Sequence, residues 1–188
     1  MPSGLYKNKY RVATTRVKGW DYSADGYYFV TICTKDKKNT FGKVVDGEMS
    51  KTAQADIVMA CWLGLPKHYA NCVLDEFVIM PNHFHGIIII DNEHANTGVE
   101  TGFKPVSAKP ACTAKRYYLS EIVRGFKTFT SKRINEFQKT QGRALWQSSF
   151  YDRIIRDDKE LMTAREYILN NPERWALDRD NPEYNVTT

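Results

Sequence analysis

Two histidines one residue apart, His83 and His85, stand at the head of four isoleucines in the stretch Val78-Ile79-Met80-Pro81-Asn82-His83-Phe84-His85-Gly86-Ile87-Ile88-Ile89-Ile90. In an extended strand, residues i and i+2 project to one face, so both imidazoles point the same way while Phe84 turns into apolar packing. That is how a strand presents two nitrogen ligands to one metal ion. The chain has 4 histidines, and half of them sit in this element. A bland reading stays open beside it: a surface pair, or a core histidine satisfied by its neighbours. A second pair lies near the C-terminus, in Arg165-Glu166-Tyr167-Ile168-Leu169-Asn170-Asn171-Pro172. On a helix, Tyr167 and Asn171 fall four apart and roughly 40° from each other. They flank the apolar stripe Leu161, Ala164 and Ile168, which leans a phenol and an amide oxygen toward the layer holding the histidines. Here the bland reading is a half-buried tyrosine and an asparagine that stops a helix.

The elements that must position these groups follow from patterning. Residues 26–34 are β-branched and aromatic, a strand. Residues 41–49 carry an Asp-Gly turn and read as a small hairpin. Apolar residues at Ile57, Val58, Cys61, Trp62 and Leu65 predict an amphipathic helix over 52–67. Residues 72–80 and 83–90 are strands separated by Pro81-Asn82, an antiparallel hairpin with the histidines just past the turn. Residues 91–116 form a long polar loop, and loops of that length are usually functional or disordered. A helix over 120–137, a strand over 146–155 and a last helix capped by Asp157 or Asp158 and stopped by Pro172 complete the chain. The order β-α-β-β-α-β-α predicts an α+β fold, a ferredoxin-like antiparallel sheet with helices packed on one face. A doubly wound parallel sheet would need a helix between the second and third strands, and none fits there.

Composition bounds the partners. The 188 residues are 42% hydrophobic and 13% aromatic, enough for a single globular domain, residues 1–188. No apolar run is long enough to span a bilayer, so no membrane role is expected. Residues 1–10 lack the apolar core of a signal peptide, and the expected location is cytoplasmic. Cys33, Cys61, Cys72 and Cys112 form no CxxC pair; Cys33 in an apolar strand and Cys61 in a helical pattern read as reduced, buried packing rather than disulfides or zinc ligands. The net charge of +5, from 27 basic against 22 acidic residues, is compatible with a polyanionic partner without establishing one.

The combination of MPNHFHGIIII, WQSSFYDRIIRD and REYILNNPERW, in that order, resembles the REP-associated tyrosine transposases of the single-tyrosine HUH group, related to insertion-sequence enzymes that move single-stranded DNA. Gly19-Trp20-Asp21-Tyr22, YYFVTICT, FGKVVDGEM and the helix around Gly125-Phe126-Lys127 are similar to that family too, so the likeness covers nearly the whole chain and implies a domain core at about 16–182. It implies that His83 and His85 are metal ligands, Tyr167 the nucleophile and Asn171 the third, amide-type ligand. Tyr151 is a competing nucleophile, weaker because it lies on a strand and has no ligand partner four residues on.

The implied reaction is nicking and rejoining of single-stranded, hairpin-forming repeat DNA through a 5′-phosphotyrosine, with a divalent metal, Mg²⁺ or Mn²⁺. Zinc stays open by ligand type alone. The rival reading is a domesticated protein that binds repeat hairpins without efficient catalysis. Single-strand binding combines a basic groove with aromatic platforms. The candidates are Arg124, Lys127, Lys132, Arg133, Arg153 and Arg156, with Lys104, Lys109, Lys115 and Arg116 in the long loop beside Tyr117 and Tyr118. The basic stretch from Lys7 to Lys18 is a further candidate for a DNA stem. Both monomer and homodimer are compatible with the resemblance.

Overall fold

A computed structural model describes residues 17–93, 115–182 and 184. The main sheet has four antiparallel strands, β1 (Gly26–Cys33), β4 (Cys72–Ile79), β5 (His83–Ile90) and β6 (Tyr151–Ile155), in the order β4-β5-β1-β6. A separate hairpin, β2 (Gly42–Val45) and β3 (Glu48–Lys51), stands beside it, turning at Asp46 and Gly47, both at positive φ. Three α-helices pack on the sheet: α1 (Ala53–Leu63), α2 (Leu119–Phe137) and α3 (Asp158–Leu169). This is the α+β, ferredoxin-like arrangement expected from the element order.

One expectation fails. The helices do not share a face. The even residues of β1 and β5 (Tyr28, Val30, Ile32, Phe84 and Ile88) join Trp62 of α1 and Phe126 of α2 in the main core. The opposite face carries a smaller cluster, Ile87 and Ile155 from the sheet with Leu161 and Ile168 from α3, flanked by Phe29, Val78 and Ala164. Ile87 to Ile90 therefore read as an unbroken apolar run because β5 is a central strand covered on both faces. An unbroken run carries no alternation, so it could not say that the last helix would cross over. Gly86 is required where Trp62 lies across β5: a Cβ there would come within 2.7 Å of the indole.

Two boundaries also move. The helix expected over 52–67 stops at Leu63, and a 3-10 turn, Leu65–Lys67, follows Gly64. Proline in that turn cannot continue the α-helical ladder. The last strand begins only at Tyr151; Trp146 makes an isolated bridge to Thr34 instead, and its indole N–H donates to Thr130 Oγ1 at 2.7 Å. Helix α3 starts as expected, with Asp157 Oδ1 accepting from the Glu160 amide at 2.7 Å.

An irregularity in the β4–β5 pairing between Leu74 and Phe77 breaks the strict alternation of β4. Asp75, within it, takes a two-point ion pair from Arg165 of α3, Nε to Oδ1 at 3.0 Å and Nη2 to Oδ2 at 2.6 Å. Helix α3 is thus held to the sheet by one small apolar cluster and to β4 by one bidentate pair. No helix among the described residues is long and apolar enough to cross a membrane. Lys104, Lys109, Cys112 and the basic stretch up to Arg16 lie outside the described residues.

Candidate metal and nucleophile site

β5 delivers the histidines as its spacing requires. His83 pairs with Cys33 and His85 with Thr31 across β1, both on the face that α3 covers, while Phe84 packs behind them against Trp62 and Phe126, with ring centroids 4.6 and 5.2 Å away. The imidazoles are buried, at 0% and 4% exposure, and their centroids are 4.5 Å apart.

Each ring is held by one nitrogen. His83 Nδ1 is 2.9 Å from Asn82 Oδ1, and an amide oxygen only accepts, so Nδ1 carries the proton and Nε2 presents its lone pair. Asn82 is fixed in turn, donating from Nδ2 to the carbonyls of Lys37 and Asp180 at 3.2 and 2.6 Å. His85 Nδ1 is 2.8 Å from Thr31 Oγ1, a hydroxyl that can accept from it in the same way. Both Nε2 atoms are buried and have no hydrogen-bond partner among the described residues. Burial lowers the pKa of His83, against the raising effect of Asp178. Burial also lowers that of His85, and the neighbouring His83 adds to the effect. Both rings are therefore neutral near pH 7, the form that binds metal.

Asn171 lies just past the end of α3, at 2% exposure, and its Oδ1 is a third buried acceptor with no partner. Its side chain sits close enough to favour the charged forms of both His83 and Tyr167. Three lone pairs from three buried groups thus go unsatisfied around one spot, which a native interior rarely tolerates without a ligand. Among the described residues no three His, Cys, Asp or Glu groups cluster, so a cation on the histidine pair must draw on the neutral amide. Two imidazoles and an amide oxygen suit a borderline divalent cation, and open positions would be left for an anionic ligand. Asp178 Oδ2 stands 3.9 Å from His83 Nε2 and adds negative charge at the rim.

Tyr167 lies on the same side of α3. Its ring centroid is 5.2 Å from His85 at 71° and 5.9 Å from Phe29, and the side chain is 40% exposed. Partial burial, assisted by Asp178, raises the phenol pKa, with Asn171 working the other way. The resting group is a neutral phenol open to solvent beside the histidines. Tyr151 makes no such ring contact with either histidine among the described residues.

The six basic candidates do not form one surface. Arg124, Lys132 and Arg133 are exposed on α2, which covers the sheet face away from the histidines. Lys127 is turned inward: its ammonium donates to the carbonyls of Gln147 and Ser148 at 2.6 and 2.9 Å, more weakly to Ser149 at 3.4 Å, and burial lowers its pKa. Only Arg153 projects from the sheet on the histidine side, opposite Phe29. It donates to Glu160 at 3.0 Å, whereas Arg156 follows the strand and lies 4.0 Å from the same carboxylate. Asn82, Thr31 and Asp178 were missed from sequence. The Asn82-His83 adjacency was a signal for the first, but the pairing of Thr31 with His85 is a property of register alone.

The chain resembles known proteins along most of its length. No family model matches the chain. A Haemophilus influenzae protein of uncharacterized function is 33% identical over 165 residues, spanning 87% of this chain and 89% of its own. A second protein from that organism, named as a candidate REP-associated tyrosine transposase, is 22% identical over 152 residues, covering 81% of this chain and 73% of its own. The solved structure of a REP-associated tyrosine transposase bound to a REP hairpin superposes with a TM-score of 0.52 at 16% identity, covering 85% of this chain and 74% of that one, a likeness of fold. Fold and relatives define a transposase-like DNA-binding protein. Over most of its length the chain is similar to a protein named for the REP-associated tyrosine transposases and shares the fold of a solved one.

Proposed function

We propose that the protein nicks and rejoins single-stranded DNA that forms repeat hairpins, with Tyr167 as nucleophile and His83, His85 and Asn171 as the metal ligands. The observation that carries this reading is the convergence of three partnerless buried acceptors, His83 Nε2, His85 Nε2 and Asn171 Oδ1, beside a half-exposed tyrosine. Mg²⁺ or Mn²⁺ held there would neutralise a non-bridging oxygen of the scissile phosphate. Tyr167 Oη forms a bond to phosphorus as the bond from phosphorus to the 3′ oxygen breaks. The phenolic proton leaves to solvent, and the departing 3′ oxygen takes one up to become a hydroxyl. One phosphodiester replaces another, so the step is reversible and needs no nucleotide cofactor. Asn82 holds His83 in the ligating tautomer, Thr31 fixes the orientation of the His85 ring, and Phe29 supports the Tyr167 ring edge-on.

The hairpin substrate follows from the relative whose structure contains a REP hairpin. The test is incubation with a hairpin oligonucleotide and Mn²⁺, followed by a denaturing gel. The wild type should give a covalent adduct that Tyr167→Phe abolishes. An adduct that survives Tyr167→Phe would overturn the nucleophile assignment; binding without any adduct, across hairpin and unpaired substrates, would support the non-catalytic reading.

A further inference from the structure

Tyr151 has a use that does not require it to be the nucleophile. Thr31 pairs with His85 on one side and with Tyr151 on the other. Directly opposed residues in antiparallel strands share a face, so Tyr151, Thr31 and His85 form a row across β6, β1 and β5. Two strand spacings put Tyr151 about 10 Å from His85 along that row. The middle member is a short threonine, so no bulky side chain stands in the row between the tyrosine and His85, and the row is a shelf in that sense alone.

The shelf is open at its outer end. Helix α3 packs chiefly on β4 and buries Ile155, at the far end of β6, in the cluster with Leu161. Tyr151, at the near end, is 46% exposed on the edge strand. Its hydroxyl has no hydrogen-bond partner and its ring no aromatic neighbour among the described residues. Arg153, two residues on, projects from the same face. Its only ion pair among the described residues is the exposed one to Glu160, a kind that exchanges readily for a phosphate. An exposed ring and a guanidinium alternating along one strand fit a nucleotide, the base on the ring and its phosphate on the cation.

We propose that Tyr151 is a stacking platform for a base of the single strand flanking the phosphate attacked by Tyr167, with Arg153 contacting the backbone beside that base. The subsite takes a nucleobase of unpaired DNA, selects by stacking rather than by hydrogen-bonded readout, and rests on the reading of Tyr167 as nucleophile. Tyr151 is a positioning residue, so its loss weakens substrate capture without touching the chemical step.

The experiment uses hairpin oligonucleotides carrying 2-aminopurine at successive unpaired positions, with full-length protein and Mn²⁺. In the wild type, fluorescence should quench at one position. Tyr151→Leu should remove that quench and raise the oligonucleotide concentration giving half-maximal adduct about 5- to 150-fold, with the saturating rate unchanged. Tyr151→Phe should keep both properties, since stacking needs the ring and not the hydroxyl. Unchanged quench and half-saturation in Tyr151→Leu would overturn the platform and leave Tyr167 as nucleophile. Loss of the adduct in Tyr151→Phe, with the adduct retained in Tyr167→Phe, would overturn both.

Discussion

Helix α3, which carries Tyr167 and Asn171, should open independently of the rest of the fold, and Ile168→Ala is the perturbation that exposes this. Ile168 is fully buried, but in the small cluster on the α3 face, with Ile87, Ile155 and Leu161. Truncating a buried isoleucine costs about 2–5 kcal/mol, according to how far the cavity collapses. That corresponds to an increase of about 30- to 4000-fold in hydrogen exchange of any amide that exchanges when α3 undocks. Exchange read by mass spectrometry on peptides covering α3 and β5 is the assay. The decisive control is Phe126→Leu, in the main core. It should speed exchange in β1 and β5 and leave α3 amides unchanged, because an undocked α3 takes no packing from Phe126. If Phe126→Leu speeds α3 exchange as much as β5 exchange, α3 opens only with the whole molecule and the reasoning fails.

Other predictions concern the shell around the site and the basic residues. Asn82→Ala and Thr31→Val should each weaken Mn²⁺ binding about 10- to 100-fold by releasing an imidazole from its fixed orientation, as read by calorimetric titration. Lys127→Met should cost about 1–3 kcal/mol in urea unfolding by stripping three carbonyls of their donor, yet leave the salt slope of DNA binding unchanged. Arg124→Gln should do the reverse if Arg124 meets a phosphate, lowering that slope by about one. The Arg165 guanidinium holds the Asp75 carboxyl below the usual carboxylate range. The pair's contribution is therefore complete above about pH 4 and is lost as pH falls through the depressed value. Asp75→Asn should flatten this part of the acid-unfolding curve and loosen α3 at neutral pH, and the effect of the substitution should shrink in 1 M salt.

Much of the site was legible because it rests on local periodicity. The two-residue period of β5 aligns His83 with His85, and the helical period of α3 aligns Tyr167 with Asn171; neither requires the fold to be known. The hairpin break at Pro81-Asn82 and the Asp157 cap were readable for the same reason. What escaped depends on register and on which face a helix chooses. Thr31 is an ordinary strand threonine until pairing sets it opposite His85. Helix α3 has an apolar stripe like that of α2, and no local signal sends the two to opposite faces of the sheet. Lys127 looks like its solvated neighbours in sequence; only the return of residues 147–149 over α2 turns it into an internal donor.

The most direct test of the site is the stoichiometry and affinity of Mn²⁺ on the free protein, measured by electron paramagnetic resonance titration. The wild type should bind one ion per chain, and both His85→Ala and Asn171→Leu should weaken that binding by tenfold or more while the fold, followed by circular dichroism, is retained. No stoichiometric binding by the wild type, or binding that neither substitution alters, would contradict the assignment of His83, His85 and Asn171 as one metal site.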